Sequence, residues 1–246
     1  MNVKVVKFGG SSLADAKQIT KAADIIKSDE KRRYVVPSAP GKRFDGDTKV
    51  TDMLYKCYEL ASESENFDEY FQMIKDRYNN IIADLGLKDF SLDEDFEIIK
   101  GAFAHMAGRD YAASRGEYLN SKVLAKYLGF DFIDAGKYIF FDDQGNFDWT
   151  KTEAKLAPKL AKTNKAVIPG FYGSMPNGTI KTFSRGGSDV TGSIVARATK
   201  AKLYENWTDV SGCLICDPRI VNNPEPIKTI TYRELRELAY MGATVL

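Results

Sequence analysis

Apolar residues along the chain recur at two spacings, which predicts strands that alternate with helices. Residues 3–8 are rich in β-branched and aromatic side chains and predict a strand, whereas apolar positions at helical spacing predict a helix over about 15–28. The same patterns predict further helices at about 52–63, 67–85, 93–107, 111–128, 189–199 and 231–241, and further strands at 34–36, 130–133, 166–169, 179–182 and 201–205. This alternation indicates an α/β fold, a three-layer sandwich with a mainly parallel central sheet covered on both faces.

Composition and charge narrow the class of protein. A chain of 246 residues with 43% apolar and 28% charged residues can bury a full core, as one large α/β domain or as two small lobes. A formal net charge of +1 argues against nucleic acid or an anionic membrane as the main partner. No apolar run approaches the ~20 residues that span a bilayer, and the N-terminus leads straight into a strand without a signal peptide, so we expect a cytoplasmic protein.

The cysteine and histidine residues give no metal or nucleophile pattern. Cys57, Cys213 and Cys216 are too few for a disulfide framework, and the C-x-x-C formed by the last two has no second pair. We therefore expect no metal ligands, and we interpret the 213–216 run as strand-like, with small buried cysteines. The one histidine, His105, is expected to be a packed helix residue, which argues against acyl transfer by a Ser–His–Asp set.

Two glycine-rich turns, K-F-G-G-S-S (7–12) and S-R-G-G-S-D (184–189), each join a predicted strand to a predicted helix. Glycine lets the backbone approach a ligand closely, and the first N–H groups of a helix are free to bind an anion. Two such turns suggest a ligand with anionic groups at two places, such as a triphosphate and a carboxylate. Lys7 can place an ammonium beside a phosphoryl group in transfer. The alternative is a lysine at a strand end before an ordinary tight turn.

Charged residues near the second turn have a binding and a structural interpretation. Arg185 can bind a carboxylate bidentately, and Asp189 can hold an ammonium or orient a neighbouring group; alternatively Ser188 or Asp189 only caps a helix. Glu117, in a segment that opens or interrupts a helix, could bind an amine or could be solvated. The segments 208–210 and 217–219 lie beyond a strand end, where open α/β sheets bind ligands, or they cap loops.

Taken together, these residues resemble the aspartate kinases of the amino acid kinase superfamily. The stretches that carry the resemblance follow the family's order across the chain: K-F-G-G-S-S (7–12), V-V-P-S-A-P-G-K (35–42), V-T-D-M-L (50–54), S-R-G-E-Y-L (114–119), G-F-Y-G-S-M-P-N-G (170–178), S-R-G-G-S-D-V-T (184–191), N-W-T-D-V-S-G (206–212) and D-P-R-I-V (217–221). Two positions depart from the family pattern. Leu214 stands where the family often has tyrosine, and Thr244 stands where it has lysine.

The resemblance implies two catalytic residues and two groups of binding residues. Lys7 would stabilise the phosphoryl group and the attacking carboxylate, and Asp189 would face the substrate's α-amine together with Glu117. Arg185 would grip the α-carboxylate. The implied substrate-binding residues are Ser38, Thr51, Glu117, Arg185 and Ser188. The implied nucleotide-binding residues are Lys7, Gly9, Gly10, Ser11, Thr208, Asp209 and Arg219.

The function that the resemblance implies is transfer of the γ-phosphoryl group of ATP to the β-carboxylate of L-aspartate, with Mg²⁺. The product, 4-phospho-L-aspartate, leads towards lysine, threonine and methionine. Residues 1–246 would form the catalytic domain, without the regulatory ACT-type domains that follow it in the family, and a homo-oligomer is left open. Two alternatives remain, namely a superfamily kinase for glutamate, acetylglutamate or carbamate, and a non-catalytic amino-acid-binding sensor with the same fold.

Overall fold

A computed structural model describes residues 3–184, 186–208, 212–217 and 220–240. Four residues that the sequence analysis singled out lie outside these ranges. They are three predicted binding residues, Arg185, Asp209 and Arg219, and Thr244, which departs from the family pattern. The chain divides between Trp207 and Thr208 into two compact units. In the described ranges, no helix is long and apolar enough to cross a bilayer.

The strands and helices follow the two apolar spacings of the sequence. The described strands are β1 (Lys4–Phe8), β2 (Arg32–Pro37), β3 (Asp131–Phe132), β4 (Ala166–Val167), β5 (Tyr172–Ser174), β6 (Ile180–Thr182) and β7 (Leu203–Trp207). The described α-helices are α1 (Ala16–Lys27), α2 (Val50–Ser62), α3 (Asp68–Asp84), α4 (Asp93–Ala104), α5 (Arg109–Leu128), α6 (Trp149–Ala161), α7 (Gly187–Ala198) and α8 (Tyr232–Tyr240).

Five strands form one parallel sheet in the order β3-β4-β2-β1-β7, and β5 and β6 form a separate antiparallel hairpin. β1 lies inside the sheet between β2 and β7, and its residues 5–8 are all buried, as is typical of a parallel strand covered on both faces. The prediction of a mainly parallel sheet in an α/β fold is confirmed. Parallel strands end at the same edge of the sheet, so the carboxyl ends of β1, β2 and β7 lie side by side.

Two apolar cores lie on opposite faces of the sheet, because neighbouring residues of a strand point to opposite faces. Val6 and Phe8 of β1 join the core built mainly by α1 to α5. Val5 joins the core built mainly by α6 and α7. Lys7 shares its face with Val5, so its side chain points to the α7 side of the sheet.

Helix α5 runs without interruption through the S-R-G-E segment, so the prediction that this segment opens or interrupts a helix is wrong. The predicted helix over 111–128 agrees with α5, which is buried on nearly every side, so the S-R-G-E residues lie inside this helix and do not break it. Gly116 has a packing reason, because a Cβ there would lie 2.7 Å from Cβ of Ala39. The glycine lets the segment that follows β2 lie directly against α5.

Two described elements are missing from the sequence predictions. α6 contains Pro158, a residue that argues against a helix interior, although Asp148 caps its start by accepting a hydrogen bond from the Lys151 N–H at 2.9 Å. β5 has three residues, too few for a period-two pattern. Its pairing with β6 is a contact that the local sequence does not specify.

Two local predictions from the sequence are wrong. His105 is not packed in a helix; it is the exposed C-terminal cap of α4, because the chain turns away at Met106, which has a φ of 57°. Cys213 and Cys216 are half-buried free thiols, and the 213–216 run forms only an isolated bridge between Leu214 and Pro226. Ile215, which lies between the two cysteines, is exposed, so the 213–216 run does not belong to a buried strand.

The first glycine turn packs directly on the loop that follows β2. Gly41 N–H donates to the Gly10 carbonyl at 2.8 Å, and a Cβ on Gly41 would lie 2.7 Å from the Gly10 carbonyl carbon. A Cβ on Gly10 would in turn lie 2.9 Å from the Ala39 carbonyl oxygen. Only two glycines permit this approach, which holds the loop after β2 beside the turn after β1.

We predict that Gly41→Ala lowers the free energy of unfolding by about 1–3 kcal/mol, the usual cost of forcing an extra methyl group into packed backbone. Gly101→Ala is the matched control. A Cβ at Gly101, inside α4, would meet nothing within 4 Å. Alanine there should be neutral or stabilising by up to about 1 kcal/mol. Denaturant unfolding of both variants checks this, and equal effects would contradict the packing account.

Candidate active site

An ion pair joins the two glycine-rich turns. β1 carries Lys7 to the carboxyl edge of the sheet, where the residue is 8% exposed, and the first turn of α7 carries Asp189. The Lys7 Nζ atom lies 3.1 Å from Asp189 Oδ2. The structure therefore brings together two residues that are 182 positions apart in sequence (189 − 7) and that the sequence analysis singled out independently.

Tyr204 on β7 completes this arrangement and was not predicted. Its hydroxyl donates to Asp189 Oδ1 at 3.2 Å, so both carboxylate oxygens of Asp189 have a partner. Burial, followed by the nearby Asp189 charge, raises the pKa of the Tyr204 hydroxyl, which keeps it a proton donor. Asp189 is thus held by one residue from each of two neighbouring strands, Lys7 of β1 and Tyr204 of β7. The sequence signal was only an aromatic residue in a predicted strand.

The first glycine turn presents backbone N–H groups beside Lys7. Gly9 N–H donates to the Trp207 carbonyl at 3.1 Å, whereas no backbone carbonyl among the described residues accepts from the N–H of Gly10 or Ser11. A short 3₁₀ turn follows at Ser11–Leu13. Two unpaired N–H groups next to an ammonium suit a phosphate group.

The second glycine turn begins α7 without a side-chain cap. Gly186 is the N-cap residue with a φ of 54°, so the alternative that Ser188 or Asp189 caps the helix is wrong. Ser188 instead accepts a hydrogen bond from the Ser38 hydroxyl at 3.0 Å. Gly170 is needed beside it, because a Cβ there would lie 2.6 Å from Ser188 Oγ. The loop after β2 and the start of α7 thereby hold each other in place.

Phe171 stores backbone strain next to this turn. Its φ of 82° is a left-handed value that a bulky side chain rarely adopts. The Phe171 N–H donates to Thr191 Oγ1 at 3.0 Å, and a Cβ on Gly187 would lie 2.5 Å from the Phe171 ring. Strain of this kind is kept where the surrounding structure enforces it, often at a functional site.

Glu117 is buried in the middle of α5, so the interpretation as a solvated helical glutamate is wrong. The residue is 6% exposed, and its Oε2 atom has no hydrogen-bond partner in the described part of the chain. Burial raises its pKa to about 7, although hydrogen bonding to the backbone of Ala39 acts in the opposite direction. Thr51, half-buried in the first turn of α2, lies close to α5, since a Cβ on Gly116 would be 3.7 Å from Thr51 Oγ1. A buried carboxyl group with an unused oxygen is suited to a cation.

The nearest buried cation, Arg115, is engaged elsewhere. Its guanidinium stacks on the rings of Tyr111 and Tyr118, each 4.5 Å away, and on Tyr172 at 5.3 Å. Its N–H groups donate to Ser114 Oγ at 2.9 and 3.1 Å. Arg115 lowers the pKa of Glu117 only as the smallest of the causes, so the Glu117 carboxyl has no ion-pair partner among the residues that the structure describes.

A cavity of about 460 Å³ opens beside the β5–β6 hairpin. It reaches Phe171 and Ser184, the residue that precedes Arg185, and two cations, Arg109 and Lys181, lie in its wall. The Arg109 guanidinium lies 4.1 Å from the Tyr55 ring centroid. Asp110 also lines this wall, and its Oδ2 atom lies 3.8 Å from Lys181 Nζ, so the positive charge of the wall is partly neutralised.

Most of the predicted site residues that the structure describes lie near the carboxyl ends of β1 and β2, around the two glycine turns. Lys7, Asp189, Ser188, Ser38 and Glu117 are linked by the contacts above, with Gly9, Gly10, Ser11 and Thr51 beside them. Thr208 follows β7 directly and is half-buried. No three His, Cys, Asp or Glu side chains cluster as metal ligands in the described ranges.

Comparison with known proteins matches this chain to one family and to relatives that share the name aspartokinase. Residues 2–246 match the family model of the amino acid kinase family. Aspartokinase 3 of Bacillus subtilis (strain 168) is 38% identical over 257 residues, covering 99% of this chain and 56% of the relative. Aspartokinase 1, chloroplastic, of Arabidopsis thaliana is 30% identical over 266 residues, covering 98% and 46%. The chain thus spans about half the length of the curated relatives it matches.

Solved structures share the fold. The aspartate kinase of Clostridium acetobutylicum superposes with a TM-score of 0.94 at 53% identity, covering 99% of this chain and 56% of that one. Aspartokinase III of E. coli, solved in complex with aspartate and ADP, superposes with a TM-score of 0.82 at 29% identity, covering 99% and 57%.

We predict that Glu117→Gln stabilises the fold more at high pH than at low pH. The carboxyl has an ordinary pKa of 4.5 and a pKa of about 7 in the folded chain. Between these values the folded state holds a proton that the unfolded state has lost, so the free energy of unfolding falls as pH rises through this window. Glutamine has no such proton. Its stabilising effect at pH 8.5 should exceed that at pH 5 by about 2–3 kcal/mol.

Denaturant unfolding at both pH values measures this difference. Glu65→Gln, at an exposed position, is the control and should show the same effect at both pH values. A Glu117→Gln effect that is independent of pH would show that Glu117 is already ionised in the folded chain, and the account of its burial would be wrong.

Proposed function

Because the chain belongs to the amino acid kinase family, we propose that it is an aspartate kinase, which transfers the γ-phosphoryl group of ATP to the β-carboxylate of L-aspartate. The relatives named aspartokinase, and the E. coli enzyme solved with aspartate and ADP, support this substrate pair. The observation that carries the proposal is the Lys7–Asp189 ion pair between the two glycine turns.

The chemistry requires positioning and charge neutralisation. A carboxylate is already ionised at pH 7, so it attacks the γ-phosphorus without a general base, as the bond to the ADP oxygen breaks. The barrier comes from bringing two anions together, and negative charge spreads over the transferring phosphoryl oxygens. The Lys7 ammonium neutralises this charge. Asp189 orients the Lys7 ammonium, and the Tyr204 hydroxyl holds Asp189 in place.

The first glycine turn would hold the phosphate groups of ATP. The free N–H groups of Gly10 and Ser11 fit phosphate oxygens, and Gly9 keeps the turn against β7. Thr208, Asp209 and Arg219 would bind the rest of the nucleotide. Because no carboxylate cluster is present in the described residues, Mg²⁺ would be held mainly by phosphate oxygens and would screen their charge.

The amino acid would bind between α5 and the start of α7. Glu117 provides a buried negative charge for the α-ammonium group, and Arg185 would bind the α-carboxylate bidentately. Ser38, Thr51 and Ser188 would border the substrate. The unpartnered Glu117 carboxyl favours a substrate with a free amine over an acylated one such as acetylglutamate. The expectations of a homo-oligomer and of a cytoplasmic location stay predictions.

We predict that the purified chain, with Mg-ATP and hydroxylamine, forms a hydroxamate from L-aspartate and not from L-glutamate, N-acetyl-L-glutamate or carbamate. Hydroxylamine traps an acyl phosphate, so this assay reports the product directly. Turnover of another acid in the panel in place of L-aspartate would reject the substrate, and ATP-independent or absent turnover would reject the kinase.

Two lysines of β1 show whether the activity arises at this site. Lys7→Ala should lower kcat at least ~10²-fold, because a charge acting on the transition state is lost. Lys4→Ala is the control, since Lys4 lies at the opposite end of the strand, where its Nζ pairs with Asp29 and Glu205. A Lys7→Ala variant that keeps more than half of the parent kcat would place the chemistry elsewhere.

A further inference from the structure

Four buried side-chain atoms have no hydrogen-bond partner in the described part of the chain, and three of them lie on one stretch of α5. They are Glu117 Oε2, Asn120 Oδ1 and Ser121 Oγ; the fourth, Asn206 Oδ1, is on β7. Buried polar atoms are almost always paired, because an unpaired one gives up its bonds to water without replacement. A cluster of exceptions within about one helical turn therefore calls for a donor beyond the described residues.

Asn120 is fully buried, and its amide orientation is fixed by one contact. Its Nδ2 donates to the Ser38 carbonyl oxygen at 2.7 Å. A carbonyl only accepts hydrogen bonds, so the nitrogen must face Ser38 and the oxygen must face away from it. The unpartnered Oδ1 is thus a consequence of the fold and not of an interchangeable amide assignment.

Glu117 and Asn120 act on the same peptide unit. Asn120 binds the Ser38 carbonyl, and the Glu117 carboxyl lies against the backbone of the next residue, Ala39. Residues three apart on a helix lie on one face with Cβ atoms about 5–6 Å apart. The unpaired Glu117 Oε2 and Asn120 Oδ1 therefore form a pair of hydrogen-bond acceptors, one on a carboxyl group and one on a neutral amide. The pair lies beside the loop after β2, whose Ser38 contacts Ser188.

A primary ammonium group matches such a pair, since it carries a positive charge and three N–H donors and no acceptor. Asp189, the other carboxylate near the substrate, already has the Lys7 ammonium on one oxygen and the Tyr204 hydroxyl on the other, so its charge is balanced within the chain, whereas Glu117 Oε2 has no partner among the described residues. Asn120 is the remaining acceptor near Glu117 that also contacts the Ser38 loop.

We propose that Asn120 is a further specificity-determining residue of the substrate site, whose amide oxygen accepts a hydrogen bond from the α-ammonium group of the amino-acid substrate while Glu117 neutralises its charge. This inference rests on the proposed function. It makes the site select for a free primary amine, because a substrate without one leaves both buried acceptors unpaired.

Calorimetric binding of L-aspartate and of succinate, which lacks only the amine, tests this role. The wild-type chain and Asn120→Leu are compared, with Ser121→Ala as the matched control, since Ser121 is the adjacent residue with an equally buried oxygen that makes no hydrogen bond to the described residues. Asn120→Leu should weaken L-aspartate binding about 10- to 100-fold, the effect of losing a hydrogen bond to a charged group. Succinate binding should change less than about twofold, and Ser121→Ala should leave the ratio of the two dissociation constants unchanged.

Equal weakening of both ligands in Asn120→Leu would show that Asn120 only positions the Ser38 loop, and unchanged L-aspartate binding would remove it from the site; either result overturns the inference. A loss of selectivity in Ser121→Ala alone would assign the acceptor to Ser121 and overturn it as well.

Melting temperatures report folding, and Asn120→Ser replaces Asn120→Leu if the latter does not fold. A wild-type chain that binds L-aspartate selectively but does not phosphorylate it rejects the proposed function and leaves this comparison valid. A wild-type chain that does not prefer L-aspartate over succinate contradicts the inference.

Discussion

A buried ammonium group at the carboxyl edge of a parallel sheet is the constraint on which the rest of this structure depends. Lys7 sits between apolar neighbours at the end of β1, and an unpaired charge there would be strongly unfavourable. Asp189 supplies the opposite charge, which requires α7 to begin beside the end of β1. Since replacing a buried ion pair by apolar residues often preserves stability, stability alone does not account for this pair.

Close backbone approach is the second requirement, and glycines provide it where the segments meet. Gly10 and Gly41 bring the loops after β1 and β2 together, while Gly116 admits Ala39 against α5. Gly170 makes room for Ser188 at the start of α7. These contacts place a turn with two unpaired backbone N–H groups, a buried carboxyl group and an ion pair around one edge of the sheet. Binding of two anionic substrates next to each other needs such a preformed arrangement.

The sequence predicted the parts of the fold that depend on local pattern. The strands around β1, β2 and β7 and most helices follow from apolar spacing, and the two glycine turns marked Lys7 and Asp189 before their contact was known. α6 was not predicted, because Pro158 lies inside it, and the S-R-G-E segment was predicted to open or interrupt a helix although α5 runs through it.

Roles that depend on contacts between distant segments were beyond the sequence. Tyr204 looked like an ordinary strand residue, and only its position opposite α7 shows that it holds Asp189. Asn120 looked like a polar helix residue, and only the Ser38 carbonyl fixes its amide and leaves its oxygen unpaired. Burial likewise distinguishes Glu117 from a solvated helical glutamate, because no local pattern reports how the loop after β2 covers it.

The central claim is that Lys7 and Asp189 act as one unit in phosphoryl transfer, and a double-mutant cycle on kcat tests it most directly. The four proteins are the wild type, Lys7→Met, Asp189→Asn and the double variant, each assayed with L-aspartate at saturating Mg-ATP. Residues that act together show strongly non-additive losses, so the double variant should be within a few-fold of the slower single variant. Losses that multiply, or an Asp189→Asn variant with the wild-type kcat, would contradict the account.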